Sequence, residues 1–189
     1  MTLRRGFLAE AERIAATIRA QLGVGPTDKL AVTAVAKACG TRVVSAADLI
    51  DIGRLAELER IQAFAFSACT FEVDGAAVIV FNPLRSDQRR RSDVAHEVSH
   101  LILKHELSEI RQVAGVLFRT CRSDQEEEAT TLGGALLLPR PLLLQATARG
   151  MSIDDIAREY VVTVDMARFR VNTTGVARQI SRARAQRSA

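Results

Sequence analysis

The most restrictive feature of this 189-residue chain is the pattern HExxH, in which His96 and His100 are separated by three residues. Two imidazoles at positions i and i+4 share one face only if the chain between them is α-helical. We therefore predict a helix from Val94 to about Leu107, capped by Ser92 or Asp93. On such a helix both rings can reach one Zn²⁺ ion at about 2.0–2.1 Å.

Glu97 lies next to His96, on the flank of the face that carries the two histidines. Its carboxylate can therefore reach a metal-bound water without being a ligand itself. Zinc lowers the pKa of such a water towards ~7, and the carboxylate takes its proton as the water attacks a carbonyl. The pattern predicts a catalytic zinc centre with His96 and His100 as ligands and Glu97 as the base. The alternative is a helix whose two histidines lie at the surface or in capping contacts.

A catalytic zinc site needs a third protein ligand and an open fourth position. The remaining histidine, His105, is five residues past His100. On a continuous helix it lies about 140° away from His100. We therefore expect it either at the surface or in contact with a metal ligand, without binding the metal itself. The acidic run 126–128 is a better source, but only one of its three glutamates can face the metal well. The spacing alone does not choose among them.

The rest of the chain predicts an α+β protein that is mostly helical. Apolar residues recur at helical spacing from Leu3 to Leu22, and Ser123 or Asp124 opens a helix that Pro139 ends. Two strand-like runs, 64–73 and 76–81, are joined by Asp-Gly, which is a strong hairpin signal. We therefore expect a small antiparallel sheet with the HExxH helix packed against it.

The C-terminal segment, residues 146–189, is predicted to be helical and to follow a peptidase-sized domain over residues 1–145. Residues 152–171 are spaced like a helix-turn-helix, with Val161 where the turn usually has glycine. Arg168, Arg170 and the arginine-rich tail make this segment basic, so contact with DNA through it is one hypothesis. A helical subdomain that packs on the rest of the chain is the other.

Cysteine usage and hydropathy predict a cytoplasmic protein without membrane contact. Cys39, Cys69 and Cys121 lie outside any CxxC spacing and are expected to be free thiols of a reducing compartment. The most apolar stretch, 132–144, is too short and too interrupted to span a bilayer. Cys121 lies five residues before Glu126, so a redox role at the metal is a further hypothesis.

Two segments together resemble the ImmA/IrrE family of bacterial metallopeptidases, whose pattern is AHExxHxxL followed by ExxA(N/D)xFAAxLLxP. Residues 95–103 read AHEVSHLIL, and residues 126–139 read EEEATTLGGALLLP. Aligned from Ala129 and Pro139, the ligand glutamate of the family falls on Glu126. The sequence departs from the pattern at Thr130, where Asn or Asp is usual, so Glu128 stays an alternative ligand.

The resemblance implies a gluzincin-like zinc endopeptidase that cleaves a helix-turn-helix transcriptional repressor in a stress or mobile-element response. We expect a substrate to add as a strand beside residues 76–81. Tyr160 is one candidate for stabilising the oxyanion. The alternative is a DNA-binding regulatory protein with a structural or vestigial metal site. Glu97 favours the peptidase, because a structural site has no use for a base.

Overall fold

The computed structural model describes residues 3–62, 66–105, 110–113, 116–119 and 122–179. Its helices are α1 (Phe7–Gln21), α2 (Val32–Ala38), α3 (Ile52–Ile61), α4 (Asp87–Ile102), α5 (Ser123–Leu137), α6 (Arg140–Ala148), α7 (Ile153–Tyr160) and α8 (Val164–Thr174). Its strands are β1 (Arg42–Ser45), β2 (Ala68–Val73), β3 (Ala76–Phe81), β4 (Ile110–Val113) and β5 (Val116–Arg119). The predicted α+β class is confirmed. No helix in these ranges is long and apolar enough to cross a membrane.

The main sheet has the strand order β1-β3-β2, and a second, two-stranded sheet pairs β4 with β5. Strands β2 and β3 are antiparallel and joined by Asp74-Gly75, whose φ angles of 52° and 74° suit a two-residue primed turn. Strand β1 is parallel to β3, so the prediction of a wholly antiparallel sheet is wrong there. Parallel neighbours need a long crossover, which includes helix α3, an element that we did not predict from the sequence.

Strand β3 is the central strand of this sheet, with β1 on one side and β2 on the other. The expectation that a substrate adds beside residues 76–81 is therefore wrong, because both edges of β3 are already paired. Within the described sheet, β2 is an edge strand, and it packs against helix α4.

Helices cover both faces of the sheet. Alternate side chains of β3 point to opposite faces, so neighbouring residues of this strand are buried in two different cores. Ile79 packs into the main core with Val94 and Val98 of α4. Val78 joins a smaller core with Leu55 of α3 on the other face. Each such fully buried side chain contributes roughly 1.5–3 kcal/mol relative to an exposed one. The predicted packing of the HExxH helix against the sheet is confirmed.

Helix α4 begins and ends earlier than the sequence pattern predicted. Its N-cap is Ser86, whose hydroxyl accepts a hydrogen bond from the Arg89 amide at 3.3 Å, so the prediction of Ser92 or Asp93 is wrong. The first two turns consist almost entirely of charged and polar residues, so they show no apolar periodicity from which a helix could be predicted. The helix ends at Ile102, and Lys104 has a positive φ of 55° that turns the chain back.

Two consecutive glycines let α5 pack closely against neighbours on both sides. A Cβ atom at Gly133 would lie 3.1 Å from the carbonyl carbon of Ala95 on α4. A Cβ atom at Gly134 would lie 2.6 Å from the Cδ atom of Arg170 on α8. The glycines cost some helix propensity, but they bring α4 and α8 against the helix that carries Glu126.

Two buried arginines cap the C-terminal end of α5. Arg19 of α1 donates to the Leu136 carbonyl at 2.8 Å, and Arg170 of α8 donates to the Leu138 carbonyl at 3.1 Å. Leu136 lies in the last turn and Leu138 is the C-cap residue, so neither carbonyl has a donor within the helix. The main core likewise combines residues of α1, α4 and α5 with residues of α7 and α8. It crosses the predicted boundary between residues 145 and 146, and that boundary stays a prediction.

Candidate metal centre and cleft

His96 and His100 of α4 meet Glu126 from the first turn of α5. The Nε2 atoms of the two histidines are 3.0 Å apart. Glu126 places Oε2 3.0 Å from His96 Nε2 and Oε1 3.4 Å from His100 Nε2. Ligands bound at about 2.0–2.1 Å around a tetrahedral ion lie about 3.3 Å from one another. Two imidazoles and a carboxylate at these distances fit one metal ion, and they form a His-His-Glu group within the described residues.

Glu128 faces away from the histidine pair. Its Oε2 atom lies 3.2 Å from His105 Nε2, and its Oε1 atom accepts a hydrogen bond from Arg4 Nε at 2.8 Å. Residues i and i+2 of a helix are about 200° apart, so Glu126 and Glu128 cannot point to the same place. The structure therefore brings Glu126 to the histidines and leaves Glu128 outside the group.

His105 lies against His100 rather than at the surface. The two Nδ1 atoms are 3.0 Å apart, and the His105 side chain is 6% exposed. The 140° estimate assumed a helix that continues to Leu107. Because α4 ends at Ile102 and the chain turns at Lys104, the His105 ring lies against His100. The surface position is wrong, and the contact with His100 agrees with the other expectation, in which His105 supports a ligand without binding the metal.

Thr130 contacts the other histidine. Its hydroxyl lies 3.3 Å from His96 Nδ1, one helical turn after Glu126. This is the position where the ImmA/IrrE pattern usually has Asn or Asp. The hydroxyl can accept a hydrogen bond from His96 Nδ1–H. The lone pair of this ring is then on Nε2, the nitrogen that faces His100 and Glu126.

Glu97 is buried beside this group and is held by a residue of the sheet. The residue is 3% exposed, and Thr70 of β2 donates to its Oε2 atom at 2.7 Å. Thr70 could not be identified from the sequence, because nothing in the local pattern of β2 distinguishes it from a threonine with no role at the site. Its role depends on the packing of β2 against α4.

Burial, with a further contribution from nearby His96, lowers the pKa of His100 from 6.5 to about 4, although Glu126 and Glu97 act in the opposite direction. The ring is therefore neutral at neutral pH. A neutral imidazole has the lone pair that a metal requires.

A cleft of about 540 Å³ opens onto the His-His-Glu group. Its walls come from the start of β2, from α4, from α5, and from the turn and first part of α8. The lining residues are Ser67, Ala68, Arg89, Ser92, Asp93, His96, Glu97, Glu126, Thr130, Gly133, Thr163, Asp165, Met166 and Phe169. The side chains from α8 were not predicted to lie near the His-His-Glu group.

The structure corrects the role suggested for Arg170. This side chain is 1% exposed, donates to the Leu138 carbonyl and pairs with Glu12, so it cannot reach DNA. Arg168 is 55% exposed and lies 3.2 Å from Asp165. The tail beyond residue 179 lies outside the described residues.

Three smaller expectations have different outcomes. Tyr160 is 5% exposed within the hydrophobic core and is not among the residues that line the cleft, which gives the oxyanion role no support. Cys39 and Cys69 are free thiols, as expected. Cys121, with the proposed redox role, lies outside the described residues.

Two metal-spaced histidines on one helix, a glutamate between them and a carboxylate from the next helix define the HExxH class of metallopeptidases. A sequence profile of one such family, described as IrrE N-terminal-like domain (Peptidase_M78), matches residues 56–172. The match covers more than half of the chain, so this protein belongs to that metallopeptidase family, and the resemblance to ImmA/IrrE is confirmed. Comparison with curated proteins and with solved structures returned no match.

Proposed function

We propose that this protein is a cytoplasmic zinc endopeptidase that cleaves a helix-turn-helix transcriptional repressor in a stress or mobile-element response. The convergence of His96, His100 and Glu126 beside the buried Glu97, at the end of an open cleft, carries the proposal. Two neutral imidazoles and one carboxylate suit zinc and leave a fourth position for chemistry. Family membership supports peptide hydrolysis, and the repressor as substrate rests on the resemblance alone.

When bound, zinc would supply a Lewis acid that acidifies a water molecule and polarises the scissile carbonyl. Glu97 would accept the proton of the attacking water and then pass it to the leaving amine. Thr70 holds Oε2 of that carboxylate at 2.7 Å, so the base is oriented before a substrate arrives. The burial of Glu97 also excludes bulk water from the carboxylate.

A peptide segment can reach the site by pairing with the outer edge of β2. Ser67 and Ala68, at the start of this strand, line the same cleft as His96 and Glu97. A strand added there would run past the metal ligands, and its side chains would meet Met166 and Phe169 of α8. This placement replaces the strand addition beside β3 that the sequence suggested.

The proposal is tested by comparing the wild-type protein with Glu97→Gln and with the exposed control Glu57→Gln. Each zinc-loaded protein is added to extract of the host cell, and the new peptide N-termini are labelled and identified by mass spectrometry. We expect cleavage within a helix-turn-helix repressor by the wild type and the control. The Glu97→Gln rate should be lower by about 10²–10⁴, with about one zinc retained per chain.

Equal cleavage by Glu97→Gln, or no zinc bound by the wild type, would contradict the proposal. The alternative, a DNA-binding regulator with a structural metal site, predicts no Glu97-dependent cleavage. It predicts instead a salt-dependent gel shift of host DNA that Arg168→Ala weakens. Arg168 is the appropriate variant, because Arg170 is buried.

A further inference from the structure

A chain of polar side chains extends from His100 away from the metal position. His100 Nδ1 lies 3.0 Å from His105 Nδ1, and His105 Nε2 lies 3.2 Å from Glu128 Oε2. Glu128 Oε1 then accepts from Arg4 Nε at 2.8 Å, in the segment before α1. We call His105, Glu128 and Arg4 the support chain. It joins three parts of the molecule that are distant in sequence.

The order of hydrogen-bond donors in this chain determines which nitrogen of His100 carries its proton. Glu128 is paired with Arg4, and an ionised carboxylate accepts hydrogen bonds only. A neutral His105 then donates from Nε2 and has its lone pair on Nδ1. That lone pair accepts from the Nδ1–H of His100, so the His100 lone pair is on Nε2. Nε2 is the atom that lies 3.0 Å from His96 and 3.4 Å from Glu126.

Because the inner contacts of this chain are buried, their hydrogen bonds are stronger than those of exposed side chains. The side chains of His105 and Glu128 are 6% and 16% exposed, whereas Arg4 is 53% exposed. The inner contacts are thus protected from water, and the outermost one is not. His96, the other histidine of the site, instead has the hydroxyl of Thr130 at 3.3 Å.

We propose that His105 and Glu128 are positioning residues that orient His100 for metal binding, with Arg4 holding Glu128 from the N-terminal segment. This inference rests on the proposed function, since it assigns a role to residues that support a proposed metal ligand. Residues that orient a ligating histidine through its second nitrogen change metal affinity by about 10–100-fold when they are removed.

The test is the zinc affinity of the full-length protein, measured by competition with a chromophoric zinc chelator. We expect His105→Ala to weaken binding by about 10–100-fold and Glu128→Gln by about tenfold. His105→Asn should bind more tightly than His105→Ala, because the Asn oxygen can still accept from His100 Nδ1. Arg4→Ala should weaken binding by at most about threefold, because its ion pair is exposed.

Asp124→Asn is the matched control, because it removes one charge from the exposed first turn of the same helix, α5. We expect its zinc affinity to stay within about twofold of the wild type. Thermal unfolding of each metal-free variant shows whether the fold is retained. A purely structural role for His105 would lower the unfolding temperature equally in the Ala and Asn variants and would not produce graded zinc affinities.

Unchanged zinc affinity in His105→Ala and Glu128→Gln would overturn this inference and leave the proposed function standing. Equal losses in His105→Ala and His105→Asn would also overturn it, because the acceptor on residue 105 would then have no role. A wild-type protein that bound no zinc would overturn the proposed function as well, so the two failures are distinguishable.

Discussion

Sequence patterns predicted functional residues on two helix pairs, α4–α5 and α7–α8. The two pairs differ in whether tertiary packing leaves those residues facing a common surface. On α4 and α5, the residues named by the pattern turn towards one another and towards an open cleft. On α7 and α8, the residues named for DNA contact do not share a face. Arg170 is buried against α5, Arg168 is exposed, and the surface between them includes Phe169, which lines the cleft.

The difference shows that a motif specifies the spacing of side chains, whereas packing decides which of them are available. HExxH requires only one helical turn, and that turn is local. A DNA-reading helix requires an unoccupied face, which depends on the elements that surround it. Here α8 lies against α5, and part of its surface serves as a wall of the cleft.

Arg170→Met offers the largest expected effect and tests whether α8 is anchored through this side chain. Its removal leaves the Leu138 carbonyl and Glu12 without their buried partner, so the free energy of unfolding should fall by about 3 kcal/mol. Arg168→Met, the exposed control two residues away, should stay within about 0.5 kcal/mol of the wild type. Denaturant unfolding measures both. A loss below about 1 kcal/mol for Arg170→Met would argue that α8 is held in another way.

Thr70→Val tests the α4–α5 site itself, because it removes the hydrogen bond that orients Glu97 and leaves His96, His100 and Glu126 unchanged. Losing the hydroxyl that donates to Glu97 should lower kcat by about tenfold, the effect of one hydrogen bond to a charged group. Zinc affinity should not change. The assay is cleavage of the substrate found by N-terminal labelling, with the buried Thr41→Val as control. An equal fall in zinc affinity would show that Thr70 supports the ligands rather than the base.

Phe169→Ala has the smallest expected effect and asks whether the α8 wall contacts the substrate. Phe169 is half-buried in the cleft lining, so its truncation removes apolar contact area. We expect KM to rise by about fivefold with little change in kcat, the result of losing uniform binding. Leu58→Ala, an exposed apolar residue of α3, is the control. A fall in kcat with unchanged KM would instead place Phe169 among the groups that act in the transition state.

Much of the site could be predicted where its geometry is local. His96, Glu97 and His100 follow from helical periodicity, and the Asp74-Gly75 hairpin follows from turn chemistry. Glu126 came from the alignment with the family pattern, because periodicity alone allows any residue of an acidic run to face the metal. Their assignment as zinc ligands and base remains a prediction, although the distances between them support it.

Other features could not be predicted because they depend on contacts between distant segments. The parallel pairing of β1 depends on a crossover that includes α3. The hydrogen bond from Thr70 requires β2 to pack on α4. The position of His105 requires α4 to end at Ile102, five residues before the predicted end at Leu107, and the chain to turn at Lys104.

The sequence by itself determined the class of this protein and the spacing of His96, Glu97 and His100, because these three residues lie within about one helical turn. The tertiary structure separated Glu126, which the family pattern had favoured, from Glu128, and it alone decided what supports each histidine and which surface α8 presents. These choices depend on the relative positions of separate helices and strands. Burial and hydrogen bonding between segments far apart in the chain set those positions, and local spacing does not encode them.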